Sequence, residues 1–179
     1  IGLMRLIWDD AYEIMNYAHR KFQSPILYEP SDIAAATEEC RGVKYQETVD
    51  VVPGIKVTWK DAGHIFGAAF LEIESEGKRV VFSGDIGNVD MPILRDTDQL
   101  GKVDLLGTES TYGDRLHESR EERYRLLLST IKEGVARGGV IMVPSFSIER
   151  TQELLYQLHQ MSTIEHTLPK IPIFLDSPM

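Results

Sequence analysis

Asp61-Ala-Gly-His64 and Phe82-Ser-Gly-Asp-Ile-Gly87 are the two stretches of sequence that decide the fold. Each places a side chain able to bind a metal, His64 or Asp85, beside glycines at the end of an apolar run. The run Arg79-Val-Val-Phe82 predicts a buried strand, so Asp85 falls in the turn that follows it. A turn aspartate can also be a simple cap, and a histidine beside glycine an ordinary loop residue. Each stretch alone leaves both interpretations open.

A third phrase, Thr108-Glu-Ser-Thr-Tyr-Gly-Asp114, follows the first two and favours a metal-binding cleft. In this order the phrases resemble the metallo-β-lactamase-fold nucleases of the β-CASP group. The likeness covers nearly the whole chain and is weakest near its amino-terminal end. It is specific at Glu109 to Arg115, because ordinary lactamases and thioesterases of this fold lack that phrase. The other matching segments are Asp61–Ala69, Phe82–Gly87, Gly139–Pro144, Arg150–Leu155 and Phe174–Pro178.

The resemblance implies a dinuclear zinc site in which Asp85 bridges both metals and His64 is a terminal ligand of one. Two zinc ions about 4 Å apart can activate water and neutralise the charge that develops on a phosphodiester. Imidazole and carboxylate suit zinc, and ligand type alone leaves manganese open. The resemblance also implies that Glu109 accepts a hydrogen bond from a ligand histidine and so fixes its ring. A strand-end cap or a salt bridge is the alternative for Glu109.

Three further residues are candidates for substrate binding. Tyr112 could stack on a base or simply anchor its loop. Arg150 could bind phosphate, although Glu149, where the family usually has glycine, places an opposing carboxylate beside it. Ser177, with Asp176, follows a predicted strand at the end where open α/β sheets bind ligands, but Asp-Ser-Pro also forms turns.

The His-x-His-x-Asp-His signature that supplies most zinc ligands in this family does not occur here. No two of the five histidines lie two residues apart. Catalytic zinc usually has three protein ligands, and His64 with Asp85 gives only two. We therefore expect an internal piece of a longer protein that is inactive by itself.

Composition restricts the remaining possibilities. The chain has 179 residues, 42% of them hydrophobic, which suits a folded protein with an ordinary core. Its 19 basic and 28 acidic residues give a net charge of −9, which argues against broad nucleic-acid binding by phosphate neutralisation. The single cysteine, Cys40, permits no internal disulfide and suits a reducing, cytoplasmic location. No apolar run reaches the length of a membrane span, so we expect no membrane partner.

The pattern of elements predicts an α/β fold in two parts. Residues 1–143 are expected to form part of a metallo-β-lactamase αββα sandwich, and residues 144–179 the start of an inserted parallel α/β domain. Alternating apolar residues predict a strand at Ile55–Trp59 and a hairpin of Phe70–Ile73 with Arg79–Phe82, and Val103–Leu106 a short strand. Buried strands are predicted at Gly139–Val143 and Ile171–Leu175. Helices are predicted at about Leu3–Phe22, at Glu121–Arg137 (with Ser119 as its N-cap) and at Thr151–Met161, and a second short helix is predicted to be capped by Ser31-Asp32 and to run to about Cys40.

These observations favour a central fragment of a zinc-dependent nuclease that cleaves RNA, with DNA as a possible substrate. A lactamase-fold hydrolase of thioesters or lactams is disfavoured by the phrase Glu109–Arg115. A metal-free paralogue acting as a scaffold in a processing complex stays open, and the sequence upstream would discriminate it. A partial sandwich exposes apolar surface, so we expect self-association or a homodimer.

Overall fold

The computed structural model describes residues 1–176, so Ser177 lies outside the described residues. The contacts within the chain divide it into two units, one ending at Lys44 and the other beginning at Tyr45. The predicted division into residues 1–143 and 144–179 stays a prediction.

The first unit consists of two helices, α1 (Gly2–Phe22) and α2 (Pro30–Glu39). Gln23 follows the last residue of α1 and caps the helix. Its backbone is left-handed (φ 58°), and its N–H donates to the His19 carbonyl. Helix α2 begins with a capping box in which the Glu29 backbone N–H donates to the Asp32 carboxylate at 2.8 Å. The predicted cap at Ser31-Asp32 is therefore wrong, since Glu29 is the N-cap and the helix begins at Pro30. Among the described residues, no helix is both long and apolar enough to cross a membrane.

The second unit begins with a five-stranded sheet in the order β1-β2-β3-β4-β5. The first four strands pair antiparallel, and β5 pairs parallel to β4. The β3–β4 hairpin turns at Glu76 and Gly77, which both have positive φ (50° and 72°), as a tight turn between twisted strands requires. The predicted hairpin is thus confirmed. The strands are β1 (Thr48–Val52), β2 (Ile55–Asp61), β3 (Ala69–Ser75), β4 (Lys78–Phe82) and β5 (Leu105–Gly107).

The sheet contains a small apolar core and a buried charge network on the same face. Phe70 and Val81 are 4% and 1% exposed and form the core together with Ala62. On this face the carboxylate of Glu72 lies between two cations, 3.1 Å from Lys60 Nζ and 3.3 Å from Arg79 Nε. Because Glu72 is only 6% exposed, its burial is offset by these two ion pairs.

Two helices follow the sheet: α3 (Arg120–Ala136) and α4 (Arg150–His159), the latter continued by a π-helical turn at Gln160–Ile164. Ser119 caps α3, since its hydroxyl accepts the Glu122 backbone N–H at 3.2 Å, as predicted. The helices enclose a second core cluster of Ile131, Leu158, Met161 and Leu168. The mixed α/β class is confirmed, and the sheet is consistent with part of a metallo-β-lactamase fold.

Two predicted strands are wrong. Residues 139–143 and 171–175 form neither strand nor helix in the structure. They are not buried either, since Val140 is 91% exposed and Phe174 is 88% exposed. An apolar run becomes a strand only where a neighbouring strand satisfies its backbone, and within residues 1–176 neither run has a ladder partner.

Candidate functional site

The loop that contains His64 connects β2 to β3 and is held by its own backbone. The Asp61 carboxylate accepts the Gly63 N–H at 2.9 Å, and the Ala62 and Ala68 backbones bond across the loop at 3.2 Å. Gly63 has φ 64°, and a Cβ there would lie 2.9 Å from the Arg95 carbonyl. The glycine of the Asp-Ala-Gly-His phrase is therefore required by both conformation and space.

The turn that contains Asp85 packs directly onto this loop. The Gly87 N–H donates to the Ala62 carbonyl at 2.8 Å, and any Cβ at Gly87 would collide with the Gly63 backbone. The glycines in the two deciding phrases thus let their backbones touch. This contact joins segments that are more than twenty residues apart in sequence and brings His64 and Asp85 to one place.

Glu109 fixes the far side of the Asp85 turn. One oxygen of its carboxylate accepts the Ile86 backbone N–H at 2.7 Å, and the other accepts the Thr111 hydroxyl at 2.7 Å. Its own N–H donates to the Ser83 hydroxyl at 3.1 Å. The Ile86 N–H, and then the Thr111 hydroxyl, hold the pKa of Glu109 below its ordinary value. Glu109 is therefore a charged acceptor beside Asp85, and its predicted bond to a ligand histidine stays a prediction.

His64 and Asp85 face each other, with Nε2 of the imidazole 3.9 Å from Oδ2 of the carboxylate. Both side chains are accessible, at 43% and 78% exposure. Two ligand atoms on one tetrahedral zinc would lie roughly 3.4 Å apart, so a small side-chain movement would let this pair share a metal. No group of three histidine, cysteine or acidic side chains within residues 1–176 is placed to hold a metal ion. His64 and Asp85 therefore have the chemistry and spacing of two zinc ligands, and a zinc site would need further ligands beside them.

The predicted substrate residues lie in different surroundings. Tyr112 is 58% exposed and packs edge-on against His117, with 4.6 Å between ring centroids. Arg150, at the start of α4, donates to the Glu153 carboxylate at 2.9 Å. It lines a cavity of about 270 Å³ together with Arg120 and Arg123, which come from α3. Ser177 lies outside the described residues, and the substrate roles of all three stay predictions.

The side chain of Glu149 points inward, which the sequence did not predict. Its side chain is buried, with 7% of the residue exposed, and burial raises the pKa of its carboxyl group. The imidazole of His64 is close enough to act on that pKa in the opposite direction. The carboxylate therefore lies inward near the His64 loop, whereas the sequence suggested a charge beside phosphate. The only signal in the sequence is the replacement of the usual glycine.

Comparison with known proteins agrees with these motifs. No family model matches the chain. It is 34% identical to a ribonuclease of Thermus thermophilus over 177 residues, which cover 99% of this chain and 38% of that protein. It is 34% identical to cleavage and polyadenylation specificity factor 73 of Drosophila melanogaster over 179 residues, 99% of this chain and 25% of that protein. An RNase J-like protein of Methanocaldococcus jannaschii is 32% identical over 180 residues, 99% of this chain and 40% of the relative.

The chain belongs to the β-CASP group of metallo-β-lactamase-fold proteins. It spans 38% of the Thermus protein and 25% of the Drosophila protein, so it corresponds to a part of each relative.

Proposed function

We propose that the full-length protein hydrolyses phosphodiester bonds of RNA at a zinc centre that includes His64 and Asp85. The observation that supports this most strongly is the approach of these two side chains to 3.9 Å, brought about by the Gly63–Gly87 contact. Nitrogen and carboxylate oxygen are ordinary zinc ligands. The relatives whose names include ribonuclease or RNase favour RNA over DNA as the substrate in this proposal.

Bound zinc would supply an activated water and positive charge for the phosphodiester oxygens. In this proposal His64 and Asp85 would both be ligands that hold the metal. Glu109 keeps Asp85 in position, because it holds the next backbone N–H, that of Ile86, at 2.7 Å. Such support of a ligand by its neighbours typically affects metal affinity 10- to 100-fold, to order of magnitude.

Substrate contacts would come from local groups, because the net charge of −9 opposes general attraction of RNA. The cavity beside α4 offers three arginines, although the charge of Arg150 is partly offset by Glu153. Arg120 and Arg123 are therefore the better phosphate contacts there. The exposed ring of Tyr112 is available for stacking on a base.

Residues 1–179 alone should bind zinc weakly and should not cleave RNA, because His64 and Asp85 are too few for a catalytic zinc. Elemental analysis after dialysis checks this expectation. Stoichiometric zinc retained by residues 1–179 would show that the ligand set has been misidentified.

The proposal is tested with the full-length protein on matched RNA and DNA oligonucleotides. Cleavage of RNA should stop when zinc is chelated and return when zinc is restored. His64→Ala should lower both zinc content and cleavage, whereas His159→Ala, which replaces an exposed histidine on α4, should change neither. RNA cleavage that survives complete zinc removal would refute the proposal. Cleavage of DNA that is faster than cleavage of RNA would refute RNA as the preferred substrate.

A further inference from the structure

The cavity of about 270 Å³ beside α4 is separate from the pair of candidate metal ligands. Arg120 and Arg123 line it from α3, and Arg150 lines it from α4. Neither His64 nor Asp85 is among its lining residues. A group held in this cavity would therefore be bound by side chains other than those proposed to hold the metal.

Two of the acidic side chains that line the cavity already have partners. One carboxylate oxygen of Glu153 accepts a hydrogen bond from Arg150 at 2.9 Å, and the other accepts one from Gln157 at 3.1 Å. The carboxylate of Glu165 accepts the Tyr124 hydroxyl. The charges of Glu153 and Glu165 are therefore directed to groups other than the two arginines of α3.

The guanidinium groups of Arg120 and Arg123 have no partner within residues 1–176. The Nε of Arg123 is buried without an acceptor, which costs free energy unless an acceptor enters from outside. The third acidic residue of the cavity, Asp90, is exposed and pairs with neither arginine. Two unpaired guanidinium groups against one exposed carboxylate leave an excess of positive charge in the cavity.

The chemistry and the place of the cavity indicate its ligand. A guanidinium group presents a planar fork of N–H donors that matches the oxygens of a phosphate group. Asp90 follows Asp85 by five residues, which span at most about 18 Å when fully extended. Because successive phosphates of one strand are roughly 3.4 Å apart along a helical axis, a strand cleaved at Asp85 would reach the cavity within about five nucleotides.

We propose that Arg120 and Arg123 bind, in this cavity, a backbone phosphate of the RNA that is not the phosphate being cleaved. The identity of the strand as RNA rests on the proposed function, whereas the fit of the cavity to a phosphate group does not. Such a contact is the same in the bound substrate and in the transition state. It therefore raises affinity and leaves the chemical step unchanged.

Binding of a labelled single-stranded RNA to the full-length protein, with zinc chelated so that the RNA stays intact, tests the proposal by fluorescence anisotropy. Arg120→Gln and Arg123→Gln should each weaken binding on the order of tenfold. Each should also lower the slope of log affinity against log salt concentration by about 0.7, whatever the RNA sequence. With zinc present, both variants should raise KM and leave kcat near that of wild type.

Two further variants serve as controls. Arg125→Gln removes an arginine of α3 whose side chain is 75% exposed and pairs with Glu122 outside the cavity, so it should affect RNA binding much less. Asp90→Asn removes the exposed opposing charge, and asparagine tolerates the positive φ of this residue (55°). It should therefore strengthen binding, which a merely structural role of the cavity would not explain.

Affinity and salt dependence that fall no further in Arg120→Gln and Arg123→Gln than in Arg125→Gln would overturn the proposal. Inorganic phosphate, titrated into the same variants, separates the two sources of a phosphate group. Loss of phosphate binding with unchanged RNA binding would place a free anion in the cavity and overturn the assignment to RNA. Arginine-dependent binding of RNA by a protein that does not cleave it would support the cavity's role and refute only the proposed hydrolysis.

Discussion

Replacing Glu109 with alanine should loosen the turn that presents Asp85. The Glu109 carboxylate is the acceptor of the Ile86 N–H at 2.7 Å, and its low pKa shows that the charged form is the one stabilised. A hydrogen bond to a charged group contributes about 1.5–3 kcal/mol. Because Glu109 is only half-buried and water can replace part of the bond, we take about 2 kcal/mol, the lower part of that range.

This free energy corresponds to roughly 30-fold faster exchange of the Ile86 amide, since about 1.4 kcal/mol of local stability is a factor of ten. Hydrogen exchange of the zinc-free full-length protein measures it at the residue concerned. Glu109→Gln keeps an oxygen acceptor but loses the charge, so its effect should be smaller, roughly fivefold. Thr111→Val is the control, because it removes the other hydrogen bond of the carboxylate and leaves that of Ile86.

The reasoning would be refuted by Ile86 exchange in Glu109→Ala that stays within about twofold of the wild-type rate. Equal acceleration in Thr111→Val would also contradict it, because the effect would then not come from the Ile86 bond.

Three other predictions concern stability and association. Glu72→Ala should cost about 3 kcal/mol in urea unfolding, because it leaves Lys60 without its carboxylate partner and removes one of the two carboxylates that pair with Arg79. Glu74→Ala, on a side chain 46% exposed, should cost less than about 1 kcal/mol. Equal effects of the two substitutions would contradict the buried network. The pKa of Asp104 is lowered by the Arg79 N–H and by Lys78, so its stabilising effect should be complete above its ordinary value of 3.8 and be lost as the pH falls through its folded value. Asp104→Asn should therefore lower the unfolding midpoint at pH 7 and have little effect at pH 2, and a pH-independent difference would argue against the assignment. Residues 1–179 alone should self-associate in sedimentation experiments, because large apolar side chains such as Val140 are exposed, and a monodisperse monomer would contradict this.

Local signals in the sequence were sufficient for much of the fold. Alternation of apolar residues predicted the β3–β4 hairpin, and Ser119 predicted the start of α3. These features depend on contacts between near neighbours in the chain. The strands predicted at 139–143 and 171–175 depend on partners elsewhere, which hydrophobicity alone cannot guarantee.

The residues of the candidate site were likewise predictable from the sequence only in part. His64 and Asp85 were identified from their phrases, and the structure brings the two side chains together. The contact of Glu109 with Ile86 joins residues 23 apart, and no spacing rule predicts which donor a carboxylate will reach. Glu149 could be recognised as unusual, but its inward direction depends on a γ-turn that only the backbone reveals.

The most direct test of the central claim is the rate of RNA hydrolysis by the full-length Asp85→Ala variant at saturating zinc. Asp50→Ala, which removes an exposed carboxylate from β1, is the matched control. If Asp85 is a ligand of the catalytic metal, its loss should lower the rate by at least about 100-fold while the unfolding midpoint stays near that of wild type. A rate equal to that of wild type and of Asp50→Ala would contradict the account.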